Sequence, residues 1–393
     1  MRRPANSDPI PRKRLLVLLF AALVSGSGYA KPISVLGTSV DLPFDYEVVK
    51  SIDSISFFPN GFATTQRIDI KPIDGPSKGE EIAVSARYFA ADHPDAKAMN
   101  ADQRRLEGRL RAEPGVRSAS ATKVDGFDFE FAEATTPDRT HPQSMLLTGV
   151  ADGLAYQLAI AARNVRPLTP GLAERIKAIH LDLAALRKNR LQFEGEGVRS
   201  VANSALETPL GNVSVPANVE MTLLTSLAVR NAVGEPQFRR RTFGLVKPYF
   251  GSAQLDKLPQ LFVVDMGCGK QGALESDDYD AFVRMSAEQA LEDPYRKFTD
   301  VRMRDPETLL GLPAQVSTAS GQAVDSWRLH HADVRRWAAK KDGDWFMVDV
   351  VRYNGAPIEK AMIRQLVSAP AICRLDLPFG SDEAPTNAPP AVH

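Results

Sequence analysis

The sequence predicts an α+β protein made of two tandem repeats, each a mainly antiparallel sheet covered by helices. Three observations predict it. First, the chain repeats itself. Leu36-Gly37-Thr38-Ser39-Val40-Asp41-Leu42-Pro43 returns as Leu210-Gly211-Asn212-Val213-Ser214-Val215-Pro216, Lys71-Pro72 as Lys247-Pro248, and Asp152-Gly153 as Asp342-Gly343. Leu-Asp-Leu stands at 181–183 and again at 375–377. Repetition of this kind speaks for architecture before any one strand is argued. Second, both halves carry runs that alternate apolar and polar residues, the period of a strand with one buried face. Third, each half closes on a stretch whose apolar residues recur every three or four positions, the period of an amphipathic helix.

In the first half, Arg67-Ile68-Asp69-Ile70 and Glu81 to Phe89 alternate and read as strands. A helix is expected from about Asp95 to Ala112, with Ala98, Leu106 and Leu110 inward and Pro114-Gly115 as its stop. Phe127-Asp128-Phe129-Glu130-Phe131 puts three aromatic rings on one face of a strand. Met145 to Val150 turns at Asp152-Gly153 into Leu154 to Ala162, a hairpin whose two turn residues both accept positive φ. The closing helix is expected over about 170–186, with Leu172, Ile176, Ile179 and Leu183 on its apolar face.

The second half follows the same order. Strands are expected over Val219–Leu227, Arg239–Val246 and Leu261–Met266, then an enlarged helical region from about Tyr279 to Met303. Ala314–Thr318, Val324–Ala332, Val334–Ala339 and Trp345–Val351 read as strands, and Pro357–Val367 as the closing helix. The resulting units are a first repeat over 31–187, a linker over 188–200, a second repeat over 201–377 and a tail over 378–393. That tail has no apolar period and cannot build a core.

Residues 1–30 have the layout of a secretory signal peptide. Arg2, Arg3, Arg12, Lys13 and Arg14 precede an apolar run from Leu15 to Val24, and small residues lead to cleavage after Gly28-Tyr29-Ala30. Ten apolar residues are too few to cross a bilayer, which takes about twenty. The expected compartment is therefore the periplasm or beyond, with no membrane span after cleavage. The 48 basic and 48 acidic side chains of the full chain become 43 and 47 once the leader's five basic residues and Asp8 are gone. A chain so balanced is no nucleic-acid binder, which needs a basic stripe. The one dense run, Arg239-Arg240-Arg241, sends Arg239 and Arg241 to one face at strand spacing and reads as a solvated sheet surface.

Cys268 and Cys373 are the only cysteines, and in an exported chain the pair is expected to be a disulfide. The bond would close a loop of about a hundred residues, a staple worth about 4–5 kcal/mol on the chain-entropy model.

The pieces Val124-Asp125-Gly126-Phe127 and Ala151-Asp152-Gly153-Leu154-Ala155-Tyr156, with the closing amphipathic helix, resemble the PsbP-like fold and within it the DcrB-type periplasmic modules. The resemblance covers most of 35–185 and, less closely, 205–377. It implies small exported or organelle-lumen domains that bind or assist partners, and it supplies no catalytic residues.

Motifs of enzyme chemistry are sparse. The mature chain has no G-x-S-x-G, P-loop, G-x-G-x-x-G, H-E-x-x-H or calcium loop, and no cofactor is expected. Met266-Gly267-Cys268-Gly269 has no basic residue followed by Ser or Thr to cradle phosphate and reads as a strand end approaching another backbone. In His330-His331-Ala332-Asp333, strand geometry lets His331 and Asp333 share a face, too few ligands for a closed zinc site. Asp342, Asp344 and Asp349 gather at a hairpin; paired carboxylates could serve a glycosidase, but Asp342 suits the turn and the others an exposed edge. Trp327, Trp337 and Trp345 fall within nineteen residues of one another. With His331 and Asp333 they are the expected binding residues.

The sequence thus points to an exported, non-enzymatic binding or accessory protein of the cell envelope, with an envelope protein or small ligand as partner. The alternative is a hydrolase with a site near His331 and Asp333 at the interface of the repeats. A deep polar cleft between the halves would favour a ligand or an enzyme, and a continuous sheet would favour a partner surface.

Overall fold

The computed structural model describes residues 32–58, 61–75, 77–91, 116–135, 143–162, 171–186, 200–202, 205–214, 220–244, 262–273, 296–325, 328–353 and 370–377. Strands dominate them. The first half contains β1 (Ile33–Val35), β2 (Thr38–Val40), β3 (Tyr46–Phe58), β4 (Gly61–Pro72), β5 (Ile82–Ala91), β6 (Val116–Val124), β7 (Phe127–Thr135), β8 (Gln143–Ala151), β9 (Leu154–Ala162), helix α1 (Leu172–Lys177) and β10 (His180–Leu181). The second contains β11 (Ser200–Ala202), β12 (Ala205–Thr208), β13 (Gly211–Ser214), β14 (Glu220–Asn231), β15 (Pro236–Gly244), β16 (Phe262–Lys270), β17 (Arg296–Leu309), β18 (Leu312–Asp325), β19 (Arg328–Lys341) and β20 (Asp344–Tyr353).

These elements correct the α+β expectation: among the described residues the protein is mainly β, and helices do not cover its sheet. The closing helix expected over 170–186 is six residues long, after which the chain enters β10 and only a helical turn follows at 183–186. Ile179 and Leu181 are buried through this extended segment, so the apolar period is satisfied without a longer helix. Arg296 to Met303, read as the end of a helical region, is strand. Seven consecutive residues of β17, Arg302 to Thr308, are exposed on both faces. With no buried face there is no alternation to read. The helices expected over 95–112 and 357–367, and 279–295 of the enlarged region, lie outside the described residues.

Fifteen strands form one sheet, every described pairing antiparallel. Its first half has the order β3-β4-β5-β9-β8-β7-β6 and its second β14-β15-β16-β20-β19-β18-β17, the same order in each. The halves join where β3 pairs with β14, from Ser56↔Thr225 to Lys50↔Asn231. One row of cross-strand neighbours runs Leu158, Ala86, Gln66, Asp53, Ala228, Arg239, Cys268, Phe346. Cross-strand neighbours share a face. Two hydrophobic cores therefore sit on the same face, one around Tyr88, Leu158 and Ile160 and the other around Val264, Met266 and Phe346, with polar residues at the seam between them.

Each core is closed by a hairpin and a returning segment, held differently in the two halves. In the first, β10 pairs with β2, Asp125 Oδ2 accepts the Leu181 N–H at 2.8 Å, and Asp125 Oδ1 lies 2.7 Å from His180 Nδ1. In the second, Cys268 and Cys373 form the expected disulfide, and the Arg374 N–H donates to Pro209 O at 2.8 Å. Both predicted hairpins are present. Asp152 and Gly153 have φ of 52° and 76°, and Asp342 and Gly343 have 52° and 82°.

Candidate functional site

The residues with chemical capacity gather on β15 to β20, on both faces of the sheet. On the face away from the two cores, four charges cross neighbouring strands in the order Arg240, Asp265, Asp349, Arg336. Asp265 and Asp349 stand directly opposite each other on β16 and β20, and Arg336 stands opposite Asp349 on β19. Arg240 donates through Nε to Asp265 Oδ2 at 2.6 Å and again through Nη2. Arg336 donates through Nε to Asp349 Oδ1 at 2.6 Å, with Nη2 bonded to Oδ2.

Both carboxylates are buried. Burial raises Asp265 above its ordinary value, and Asp349 adds to this, while Arg240 and Arg336 pull the other way. For the two guanidinium groups burial acts downward, yet the facing aspartates leave both raised. Each carboxyl is occupied by its own arginine. The arrangement therefore acts as a register lock: slipping a strand by one residue would move its charge to the opposite face, against the second core. Asp349, expected on an exposed edge, is a member of this buried row. Asp342 occupies the turn and Asp344 meets Lys270 Nζ at 2.6 Å, so the three carboxylates do not form one group.

The arginine run is also corrected. Arg239 and Arg241 do share a face, but Arg239 is 1% exposed at the seam and Arg241 donates to Glu207 O at 3.0 Å. No solvated stripe results. Gly267 and Gly269 make room for an aromatic ring: Phe238 lies across them and stacks on Trp345 with centroids 5.0 Å apart. Trp345 donates its indole N–H to Lys270 O at 3.2 Å.

His331 and Asp333 do share a face, 3.3 Å apart, and Asp333 also accepts from Arg352 at 2.7 Å. Trp337 lies on that face too, buried in the second core, with its indole N–H on Glu307 Oε2 at 2.8 Å. Trp345 is on the opposite face, since it pairs with Lys340 whereas Trp337 pairs with Val348. The two tryptophans do not make one surface. Trp327 lies outside the described residues. Among those residues, no group of three or more His, Cys, Asp or Glu side chains could hold a metal ion, and no helix is long and apolar enough to cross a membrane.

Four arginines around this face escaped the sequence reading. Arg304 on β17 donates to Thr318 Oγ1 at 2.9 Å, and Arg302 lies two residues before it. Arg335 pairs with Glu307 and its guanidinium carbon sits 4.9 Å from the centre of the Trp337 ring, while Arg352 meets Asp333. The spacing Arg302-Met303-Arg304 was the available signal, two arginines at the period of a strand.

No family model matches this chain, and no curated protein matches it. Among solved structures it is similar to a chain of the Tle4–Tli4 complex, at 11% identity over 86% of this chain and 94% of that one, with a TM-score of 0.21. It is also similar to the apo structure of immunity protein TplEi of the T6SS from Pseudomonas aeruginosa, at 10% identity over 89% of this chain and 98% of that one, with a TM-score of 0.20.

Proposed function

We propose that this chain is an exported, non-catalytic binding protein of the cell envelope, and that its partner is another protein engaged through the second half. The observation that carries this reading is the continuity of the sheet. Where an open cleft between the halves would favour a small ligand or an enzyme, β3 and β14 share a backbone ladder. That ladder fixes the spacing of surfaces on the two halves, which suits a footprint of about 800 Å² better than a small molecule. Export is supported by the leader of residues 1–30 and by the Cys268–Cys373 bond, which persists in an oxidising compartment.

The test is co-purification of the mature chain from envelope extracts followed by light scattering on the reconstituted pair. A stoichiometric complex with one envelope or incoming protein is expected. Turnover in a hydrolase panel that vanishes in His331→Ala and Asp333→Ala, with no complex formed, would replace this reading with the enzymatic one. An immunity role, as named for TplEi, is one case of protein binding, and rescue of growth on co-expression with a toxic effector tests it.

A further inference from the structure

Resting on the reading that the partner is a protein, we propose that the face bearing Arg302, Arg304, Arg335 and Arg352 docks an acidic surface of that partner, through side chains and not by strand addition. The register places these residues together. Arg304 neighbours Val316 and then Trp337; Arg302 neighbours Thr318 and then Arg335; Asp333 neighbours Arg352. By register four guanidinium groups share this face with three carboxylates, Glu307, Asp333 and Asp300, the last in the row of Asp333 and Arg352, in a chain whose full sequence balances 48 against 48. Arg302 and Arg304 are exposed, and the side chains of Arg335 and Arg352 are 37% and 34% exposed.

Arginine suits this task because its planar, weakly hydrated fork can meet carboxylates in pairs. The Trp337 ring beneath Arg335, with Glu307 bonded to both, holds that guanidinium in place before a partner arrives. Less side-chain freedom then remains to be lost on binding. Strand addition is opposed by the edge itself. Pro306 has no N–H to offer, and the ladder is irregular between Arg304 and Glu307, two devices that protect sheet edges from pairing.

Among the described residues, the first half does not repeat two of these arginines. With the hairpins aligned on Asp152-Gly153 and Asp342-Gly343, Arg335 and Arg352 stand where the first half has Met145 and Ala162, both buried in its core. The same strand positions serve as core in one half and as charged surface in the other.

The test is fluorescence anisotropy with a labelled oligoglutamate peptide and, as a competing polyanion, a single-stranded oligonucleotide of equal charge, against the mature chain. Saturable, salt-sensitive peptide binding is expected, weakened at least about tenfold in Arg302→Glu/Arg304→Glu and unchanged in Lys123→Glu, with circular dichroism confirming that both variants fold. Absent binding, or equal binding by the double variant, overturns the proposal. Tighter binding of the oligonucleotide replaces protein with nucleic acid as the partner class. An envelope complex that survives Arg302→Glu/Arg304→Glu sinks this docking face alone, whereas failure to form any such complex sinks the broader reading.

Discussion

Replacing both half-cystines by alanine measures what the Cys268–Cys373 bond contributes. The bond spans 105 residues of sequence. A loop of that length removes about 16 cal/mol/K of entropy from the unfolded chain, or about 4.7 kcal/mol at 25 °C. Cys268 is fully buried in the second core, so deleting its sulfur adds a smaller transfer cost, under about 1 kcal/mol. The strap at 370–377 keeps other ties. The Arg374 N–H donates to Pro209 O, and its guanidinium to Glu207 Oε1, each at 2.8 Å. Docking of the strap therefore survives the substitution while stability falls. Urea unfolding followed by tryptophan fluorescence should show a loss of about 4–6 kcal/mol for Cys268→Ala/Cys373→Ala, with a steeper slope because the unlinked unfolded chain exposes more surface. Reducing agent should reproduce the loss in the parent and leave the variant untouched. An unchanged midpoint, or equal sensitivity of both proteins to reductant, would refute the reasoning.

Three further outcomes are expected. Asp349→Ala strands the largely buried Arg336 and should cost about 3–5 kcal/mol, most of it recovered in Arg336→Met/Asp349→Ala; equal losses in single and double variants by chemical denaturation would remove the pairing. Because burial raises Asp265, the folded chain binds more protons there than the unfolded chain does. The stability this contributes is complete below the ordinary aspartate range and is lost as pH rises through the raised value. The urea midpoint of the parent, taken relative to Asp265→Asn, should fall from acidic to neutral pH; parallel profiles would contradict this. A Cβ added at Gly269 would sit 2.8 Å from Phe238 Cδ2 and 2.9 Å from Gln237 O. Gly269→Ala should therefore cost about 1–3 kcal/mol and disturb the Phe238–Trp345 stack in near-ultraviolet circular dichroism, and an unperturbed spectrum would argue against that packing.

Much of the strand content was legible because its causes are local. Asp-Gly turns accept positive φ wherever they fall, and Leu154–Ala162 alternates in burial as large side chains (Leu154, Tyr156, Leu158, Ile160) alternate with Ala155, Gln157, Ala159 and Ala161. The disulfide followed from compartment and count. The helices were over-read where apolar spacing is ambiguous over a few residues, as at Ile179 and Leu181, which are buried through extended chain. β17 was missed because its stretch Arg302 to Thr308, exposed on both faces, carries no apolar period, its one signal being the arginines at 302 and 304.

The candidate site was less legible still. His331 and Asp333 could be placed on one face from strand parity alone, and they are. Trp337 and Trp345 could not be told apart in this way across a turn, and the register sets them on opposite faces. Arg239 and Asp349 look like surface in one dimension and are buried, because the joining of β3 to β14 and the packing of both faces of β20 are set by residues far away in sequence. Local chemistry dictated turns, alternation and the cysteine pairing. Which charges lie inside, and which arginines gather into a surface, depends on pairings between distant strands, and that information exists only once the chain has folded.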